Sequence, residues 1–202
     1  MPGLAREPAK SAKAVFALRR FVYPPKERCE FCRAGLPGEH AHLLEPAARK
    51  IRCACVSCVA LCGPDCLPII RRKEKLGIFA FSDAQWDALQ IPVDLAFLVR
   101  HADGRSTAHY PGPAGVVDSA FGSEVWSEIA ETNPFLADMT AEVEALLLDR
   151  AGGGNEAYRL SIDHCYALAG LIRKRWRGLS GGEEVRREIR AYLGATDGAG
   201  HA

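Results

Sequence analysis

The chain has 202 residues, 48% of them hydrophobic, which is enough for one packed core and a small metal-stabilised module. Its 26 basic and 25 acidic residues leave a formal net charge of +1, so no overall field attracts nucleic acid or an anionic membrane surface. No stretch of about 20 apolar residues predicts a membrane span, and the N-terminal stretch lacks the apolar segment of a secretory signal. We therefore expect a cytoplasmic protein, in which clustered cysteines are more often metal ligands or redox groups than disulfides.

Proline, glycine and charge patterns divide the chain into four segments. Residues 1–28 form a polar lead, partly ordered at best, with a short helix over residues 12–20 that two prolines stop. Residues 29–75 form a Cys-rich metal-binding module, and a Gly-Pro pair, a further proline and a basic run mark its end. Residues 76–195 form an α+β domain, and residues 196–202 form a disordered tail.

Cysteine spacing is the strongest chemical signal in the sequence. Seven of the eight cysteines fall between Cys29 and Cys66, and four of them form two C-x2-C pairs, Cys29 with Cys32 and Cys55 with Cys58. Each pair can present two thiolates to one point, and together the pairs complete the tetrahedral shell that Zn²⁺ or a single iron ion prefers. We predict Zn²⁺ as the cofactor, with Fe as the alternative.

The residues between the two pairs predict how this module folds. The first pair suits a tight turn that aims backbone N–H groups at the sulfurs. Residues 40–44 and 50–53 suit the two strands of a hairpin around a turn at residues 45–48, and the residues after Cys55 suit a helix. A turn, a hairpin and a helix whose first turn supplies the last ligands are typical of a treble-clef or zinc-ribbon-like module. The N-terminus of the helix also favours bound thiolates.

A second group of possible ligands lies on the predicted hairpin. If the turn closes symmetrically, His42 faces Ile51 and His40 faces Cys53. Because side chains two apart on a strand share a face, we expect His40, His42 and Cys53 to lie together. Three interpretations stay open: a second metal-ligand cluster, a hydrogen-bonded histidine pair beside a packed thiol, and contacts from these side chains to the ligands of the first metal.

Three cysteines stand outside these groups. Cys62 and Cys66 follow Cys58 at four-residue spacing, but Pro64 disfavours one continuous helix through them. We expect surface or packed thiols there, with a ligand role in a cluster as the alternative. Cys165 begins a predicted helix, where we expect it to pack in the core, with a reactive or ligand role as the alternative.

The α+β domain is predicted to contain two hairpins, each followed by a helix. Ser82 and Gln85 suit a capping box for a short helix that carries Trp86. A buried strand, an Asp103-Gly104 turn and a returning strand follow, and a similar order recurs about fifty residues later around a triple-glycine turn. The predicted elements are strands at residues 93–100, 106–110, 143–149 and 156–160, helices at residues 123–132 and 163–176, and a final helix capped by Ser180 that ends near residue 193. Because strands and helices do not alternate regularly, we predict an α+β fold with an antiparallel sheet.

Several runs of the sequence resemble a known family. They are ERCEFC, GEHAHLLEP, IRCACVSC, WDALQIPVDLAFLV, YPGPAG and GLIRKRWRGLSGGEEV, and they span most of residues 28–193. These runs resemble an uncharacterised bacterial family encoded beside the subunits of high-affinity uptake nickel-iron hydrogenases. The shared positions are Cys29, Cys32, His40, His42, Cys53, Cys55 and Cys58, whereas Cys62 and Cys66 depart from the family's pattern. The resemblance implies a hydrogenase accessory protein for assembly, for cofactor or electron handling, or for complex formation.

The residues themselves favour binding over catalysis. The sequence offers no nucleophile with a base, no carboxylate pair and no phosphate-cradling loop, so we expect no enzyme. We predict a zinc-binding accessory protein that binds a protein partner, which the resemblance suggests is a hydrogenase subunit or maturation factor. The alternative is a rubredoxin-like iron tetrathiolate that carries electrons for a hydrogenase.

Two weaker hypotheses involve nucleic acid. A His-x-His run after a C-x2-C turn is similar to treble-clef nucleases, but such sites need a further Asn or His from the helix, and residues 56–61 offer none. A basic patch for nucleic acid or an acidic protein face is the second hypothesis. It would comprise Arg173, Lys174, Arg175, Arg177, Arg186, Arg187 and Arg190. The interleaved Glu183, Glu184 and Glu188 favour a solvated helix face instead, so we expect neither a nucleic-acid nor a membrane partner.

Overall fold

The computed structural model describes residues 27–112, 114–175 and 182–194. These residues form two antiparallel sheets, five α-helices and one 3₁₀ helix, which confirms the predicted α+β class. The lead helix predicted at residues 12–20, the cap predicted at Ser180 and the tail at residues 196–202 lie outside the described residues.

The smaller sheet lies in the Cys-rich segment and has the strand order β2-β1-β3. Strands β1 (Ala41–Glu45) and β2 (Lys50–Ala54) form the predicted hairpin, and helix α1 (Val56–Ala60) follows β2 as predicted. Strand β3 (Leu67–Ile69) pairs with the other edge of β1. The sequence carries no signal for β3, because three residues around a proline are too short to show alternation.

The predicted register of this hairpin is wrong by two residues. His42 pairs with Cys53 rather than with Ile51, and Leu44 pairs with Ile51. His40 lies just before β1, two residues from His42. Because the side-chain period of a strand is two, a shift of two residues leaves every side chain on its predicted face.

The shift arises in the turn, which lies at residues 46–49 rather than 45–48. Pro46 has no N–H to contribute to the ladder, so it opens the turn. Its carbonyl accepts the backbone N–H of Arg49 at 3.1 Å, and Arg49 takes a left-handed conformation with φ of 51°. The last ladder pair is therefore Glu45 with Lys50.

The larger sheet has six antiparallel strands in the order β4-β9-β8-β5-β6-β7. The hairpins β5–β6 and β8–β9 are the two predicted ones, and β5 pairs with β8 at the centre of the sheet. The strands are β4 (Lys73–Lys75), β5 (Leu95–Arg100), β6 (Ser106–Gly112), β7 (Gly115–Phe121), β8 (Glu144–Asp149) and β9 (Glu156–Ser161).

Helices cover both faces of this sheet, which explains why β5 and β8 are apolar at nearly every position. Helices α4 (Ile162–Arg175) and α5 (Gly182–Gly194) pack on one face. Helices α2 (Asp83–Ala88) and α3 (Ser123–Thr132) and the 3₁₀ helix (Pro134–Asp138) pack on the other. The helices of the two hairpin-helix units thus lie on opposite faces, so no two-fold axis through the sheet relates the units.

Local signals place several elements as predicted. The capping box of Ser82 with Gln85 opens α2, and α3 begins and ends at the predicted residues. Strands β4 and β7 have no counterpart in the sequence analysis, because β4 is Lys-Glu-Lys and β7 has no buried residue. The domain boundary predicted near residue 75 stays a prediction; β4, just before it, pairs with β9 in the larger sheet.

The smaller sheet packs on the face of the larger sheet that carries α4. Leu44 and Ile69 belong to the same buried apolar cluster as the residues of that face. At the hairpin turn, Arg49 forms an ion pair with Asp118 of β7 at 2.8 Å, and Asp118 also accepts a hydrogen bond from buried His109 at 2.7 Å. Over the described ranges, no helix combines the length and the apolar character needed to cross a bilayer.

Glu144, at the start of β8, is a buried carboxylate with charged and polar partners. Its carboxylate accepts a hydrogen bond from Arg159 at 2.7 Å and from the backbone N–H of Thr140 at 2.7 Å, and it forms an ion pair with Arg72 at 2.8 Å. Burial raises the pKa of Glu144, but these partners outweigh it, and the pKa lies below its ordinary value.

Glu144→Gln should lower the free energy of unfolding by about 3 kcal/mol near pH 7, because two arginines lose a buried anionic partner. Since the folded pKa lies below the unfolded value of about 4.3, this stabilisation is present above that pH and is lost as the pH falls through the folded pKa. Urea unfolding at neutral and acidic pH should show a difference between wild type and variant that shrinks on acidification. Glu74→Gln, which removes an exposed partner of Arg72, is the matched control. If the difference in unfolding free energy between wild type and Glu144→Gln did not change with pH, the lowered pKa of Glu144 would be contradicted.

Candidate metal centre

The first cysteine pair is held by a tight turn of backbone hydrogen bonds. The N–H of Cys29 donates to the carbonyl of Ala34 at 2.8 Å, and the N–H of Arg33 donates to the carbonyl of Cys29 at 2.9 Å. Arg33 is left-handed, with φ of 66°. The turn buries Cys29 and leaves Cys32 exposed at the surface of the protein.

The second pair lies at the beginning of α1. Cys55 is the N-cap residue in an extended conformation, and Cys58 is the third residue of the helix. The N–H of Val59 donates to the carbonyl of Cys55 at 3.0 Å, so the first helical turn fixes the spacing of the two side chains. Both thiols are half-buried.

Glu30 ties the first turn to strand β2. Its N–H donates to the carbonyl of Cys53 at 2.9 Å, and its carboxylate accepts the N–H of Cys53 at 3.0 Å. Arg52 donates to the same carboxylate at 3.0 Å, and this lowers the pKa of Glu30 together with the stronger effect of the Cys53 N–H. The sequence spacing gives no sign of this role for Glu30.

The structure brings the four predicted sulfurs together. The ligand atoms of Cys29, Cys32, Cys55 and Cys58 all lie within 4.8 Å of one another, and the sulfurs of Cys32 and Cys55 are 3.6 Å apart. A tetrahedral Zn²⁺ with bonds of about 2.3 Å to sulfur has sulfur–sulfur separations of about 3.8 Å. A metal ion therefore fits this tetracysteine cluster with little movement of the side chains, in a zinc-ribbon-like site.

The pKa values of two of these thiols, Cys29 and Cys58, are shifted in opposite directions. Burial raises the pKa of Cys29, but hydrogen bonds from the backbone N–H groups of Cys32, Cys55 and Phe31 outweigh it and lower the pKa to about 6. Burial raises the pKa of Cys58 to about 12, and the neighbouring thiols add to the rise. One thiolate is thus formed readily, whereas a second beside it is costly without a cation.

The second predicted group is also brought together. The ligand atoms of His40, His42 and Cys53 lie within 4.8 Å of one another. The two imidazole rings meet edge-on, with their centroids 4.9 Å apart. Burial raises the pKa of the Cys53 thiol, and the negative charges of Glu27 and Glu30 raise it further.

His42 has a partner that the sequence analysis does not include. Its Nδ1 lies 2.7 Å from the carboxylate of Asp163, which stands at the beginning of α4, 121 residues away in the chain. Ser161 donates to the same carboxylate at 2.6 Å. Burial raises the pKa of Asp163, but the hydrogen bonds from His42 and Ser161 outweigh it and lower the pKa to about 2. No sequence signal connects residues so far apart.

The other cysteines lie outside both groups. Cys62 and Cys66, expected as separate thiols, form a disulfide, because a turn after α1 folds the chain back so that the N–H of Cys66 reaches the carbonyl of Gly63 at 3.3 Å. Cys165 is a residue of α4 and is buried in the core, where burial raises the pKa of its thiol well above the ordinary value. Its predicted packing role agrees with this position.

Comparison with known proteins identifies the family. Residues 28–199 match a family of unknown function, DUF5947. The chain belongs to this family. No curated protein and no solved structure matches the chain. The family match carries no link to hydrogenases, so the hydrogenase context stays a prediction.

Loss of one cysteine of the tetracysteine cluster should unfold residues 29–66 and bring the metal content near zero, because a structural Zn²⁺ contributes on the order of 10 kcal/mol to the folding of such modules. Cys29→Ser and Cys58→Ser are the variants, measured by elemental analysis and thermal unfolding. Cys165→Ala is the matched control and should keep the metal. Full metal content and native thermal behaviour in either cluster variant would contradict the ligand assignment.

Proposed function

We propose that this protein is a non-catalytic accessory protein in which a structural Zn²⁺ holds together a binding module of the treble-clef type. The observation that carries the proposal is the convergence of four cysteine sulfurs within 4.8 Å, from a tight turn and from the beginning of a helix. Turn, hairpin and helix follow one another in the order that a treble clef requires. Sites with four protein ligands are typical of structural rather than catalytic zinc.

The second cysteine pair favours zinc over iron. In the rubredoxin-like alternative, both pairs would lie in tight turns that surround the iron with backbone N–H groups. Here Cys55 and Cys58 lie at the beginning of α1, so only the first pair has such a turn. The partial positive charge at the beginning of the helix suits a negatively charged tetrathiolate of either metal, so the preference for zinc rests on the absence of a second tight turn at this pair.

Exposed apolar side chains around the tetracysteine cluster supply a surface for a protein partner. Phe31 lies between the cysteines of the first pair, Val56 is the first residue of α1, and Leu61 is the C-cap residue of that helix. Their exposed fractions are 45%, 83% and 83%. No residue of α1 is buried, although the helix is part of the metal module. Apolar side chains held in such exposed positions on a rigid scaffold are typical of binding surfaces.

A nickel-iron hydrogenase subunit or maturation factor is the partner we propose, and this part rests on the sequence resemblance alone.

The surroundings of the basic side chains support a protein rather than a nucleic-acid partner. Arg186 and Arg190 line a cleft together with Asp149, Glu156 and Glu183, so their charges face acidic groups. A nuclease is disfavoured because α1 contributes no Asn or His.

Purification without oxygen, followed by elemental analysis and a visible spectrum after exposure to air, tests the identity of the metal. We expect Zn²⁺ and no visible absorption, because Zn²⁺ has a filled d shell. A red protein with iron as its main metal would overturn the zinc assignment and favour the electron carrier instead.

Binding to a purified nickel-iron hydrogenase, measured by isothermal titration calorimetry, tests the partner. Val56→Ser and Leu61→Ser should weaken binding by at least about tenfold each, since a buried apolar anchor contributes more than about 1.4 kcal/mol. Ile78→Ser is the matched control, because Ile78 is 91% exposed and lies outside the metal module. Absence of binding by the wild type, or equal weakening by all three substitutions, would contradict the proposal.

A further inference from the structure

A second ligand group stands on the same hairpin, with a different set of donor atoms. His42 and Cys53 are direct partners across β1 and β2, and His40 lies two residues before His42. All three ligand atoms lie within 4.8 Å of one another. Two imidazole nitrogens and one thiolate are ligands for borderline divalent ions such as Zn²⁺.

The side chain of His40 is buried, and its two ring nitrogens have different surroundings. Its side chain is 5% exposed, and its Nδ1 lies 3.2 Å from the carbonyl of Pro37. An N–H must therefore sit on Nδ1, which leaves the lone pair on Nε2. Nε2 is buried, and within the part of the chain that the structure describes it has no hydrogen-bond partner. A buried polar atom without a partner costs about 1–3 kcal/mol, so this nitrogen is suited to binding a metal ion.

His42 is oriented as a metal-binding histidine usually is. Its Nδ1 faces the carboxylate of Asp163 at 2.7 Å, so the second nitrogen, Nε2, carries the free lone pair. Ser161 fixes the same carboxylate at 2.6 Å. A carboxylate behind an imidazole sets its tautomer and raises its basicity toward a metal ion.

Cys53 is held in place through its backbone. Both its N–H and its carbonyl are bound by Glu30, which belongs to the turn of the tetracysteine cluster. The carboxylates of Glu27 and Glu30 lie close enough to act on the thiol through their charge, and they favour a cation there.

We propose that His40 Nε2, His42 Nε2 and the Cys53 sulfur form a second, separate metal site that takes a divalent ion such as Zn²⁺ and leaves a fourth coordination position for water or an exchangeable ligand. Three protein ligands and one open position distinguish it from the closed tetracysteine cluster. The site goes beyond the proposed accessory function and requires no partner protein. It uses the tetracysteine cluster only as the scaffold that positions Cys53.

Metal stoichiometry of the full chain tests this proposal. Protein saturated with Zn²⁺ and freed of loosely bound ion should hold two ions per chain, and Co²⁺ added to protein carrying one Zn²⁺ should give the absorption bands of a thiolate-bound Co²⁺. One ion per chain at saturation would overturn the proposal without any variant, and it would leave the tetracysteine cluster unaffected.

Substitutions assign the ligands. His40→Ala combined with His42→Ala should reduce the ion count from two to one and remove the Co²⁺ bands, while the remaining ion keeps the module folded by circular dichroism. Asp163→Asn should lower the affinity for the second ion by about 10- to 100-fold, because a carboxylate behind the imidazole contributes that much to metal affinity. Cys165→Ala is the thiol control and should keep both ions. Two ions in the double variant would overturn the assignment.

Discussion

Charge balance among four sulfurs is the constraint on which the N-terminal module depends. The sulfurs of Cys29, Cys32, Cys55 and Cys58 lie within 4.8 Å of one another, so four negative charges at these positions would repel one another strongly. A divalent cation removes this conflict, because it draws off the thiol protons and replaces thiol–thiol contacts by four strong bonds. The small sheet has few buried residues of its own, so in our proposal this bonding would supply the stability that a larger core otherwise provides.

The same hairpin connects the metal module to the α+β domain. Leu44 and Ile69 enter the core beside α4, and Arg49 reaches Asp118 on the outer strand β7. His42 faces Asp163 at the beginning of α4. The module therefore packs directly against the larger sheet. Because of these contacts, a metal ion that orders the hairpin would also stabilise the core beside α4.

The features that the sequence predicts correctly are those that depend on residues close together in the chain. The paired cysteines, the Ser82 capping box and the bounds of α3 each follow from contacts between residues a few positions apart. The sequence predicts the position of the hairpin, but the register depends on the residue at which the turn opens, which is Pro46. His40, His42 and Cys53 still share one face of the hairpin, because side chains alternate along a strand and a shift of two residues leaves each on the same face.

Long-range contacts account for what the sequence could not provide. Strand β7 has no buried residue and becomes a strand only because β6 offers it a partner edge. Asp163 acts on His42 across 121 residues, and no local pattern marks it as part of a ligand group. The order of strands and helices therefore predicts the fold class, and cysteine spacing predicts the four sulfurs, whereas the carboxylate behind His42 is visible only in the folded chain.

X-ray absorption at the zinc edge, on protein loaded with one equivalent of Zn²⁺, measures the central interaction most directly. The account predicts four sulfur neighbours at about 2.3 Å and no nitrogen or oxygen in the first coordination shell. A shell dominated by nitrogen or oxygen, or one with fewer than three sulfurs, would contradict it.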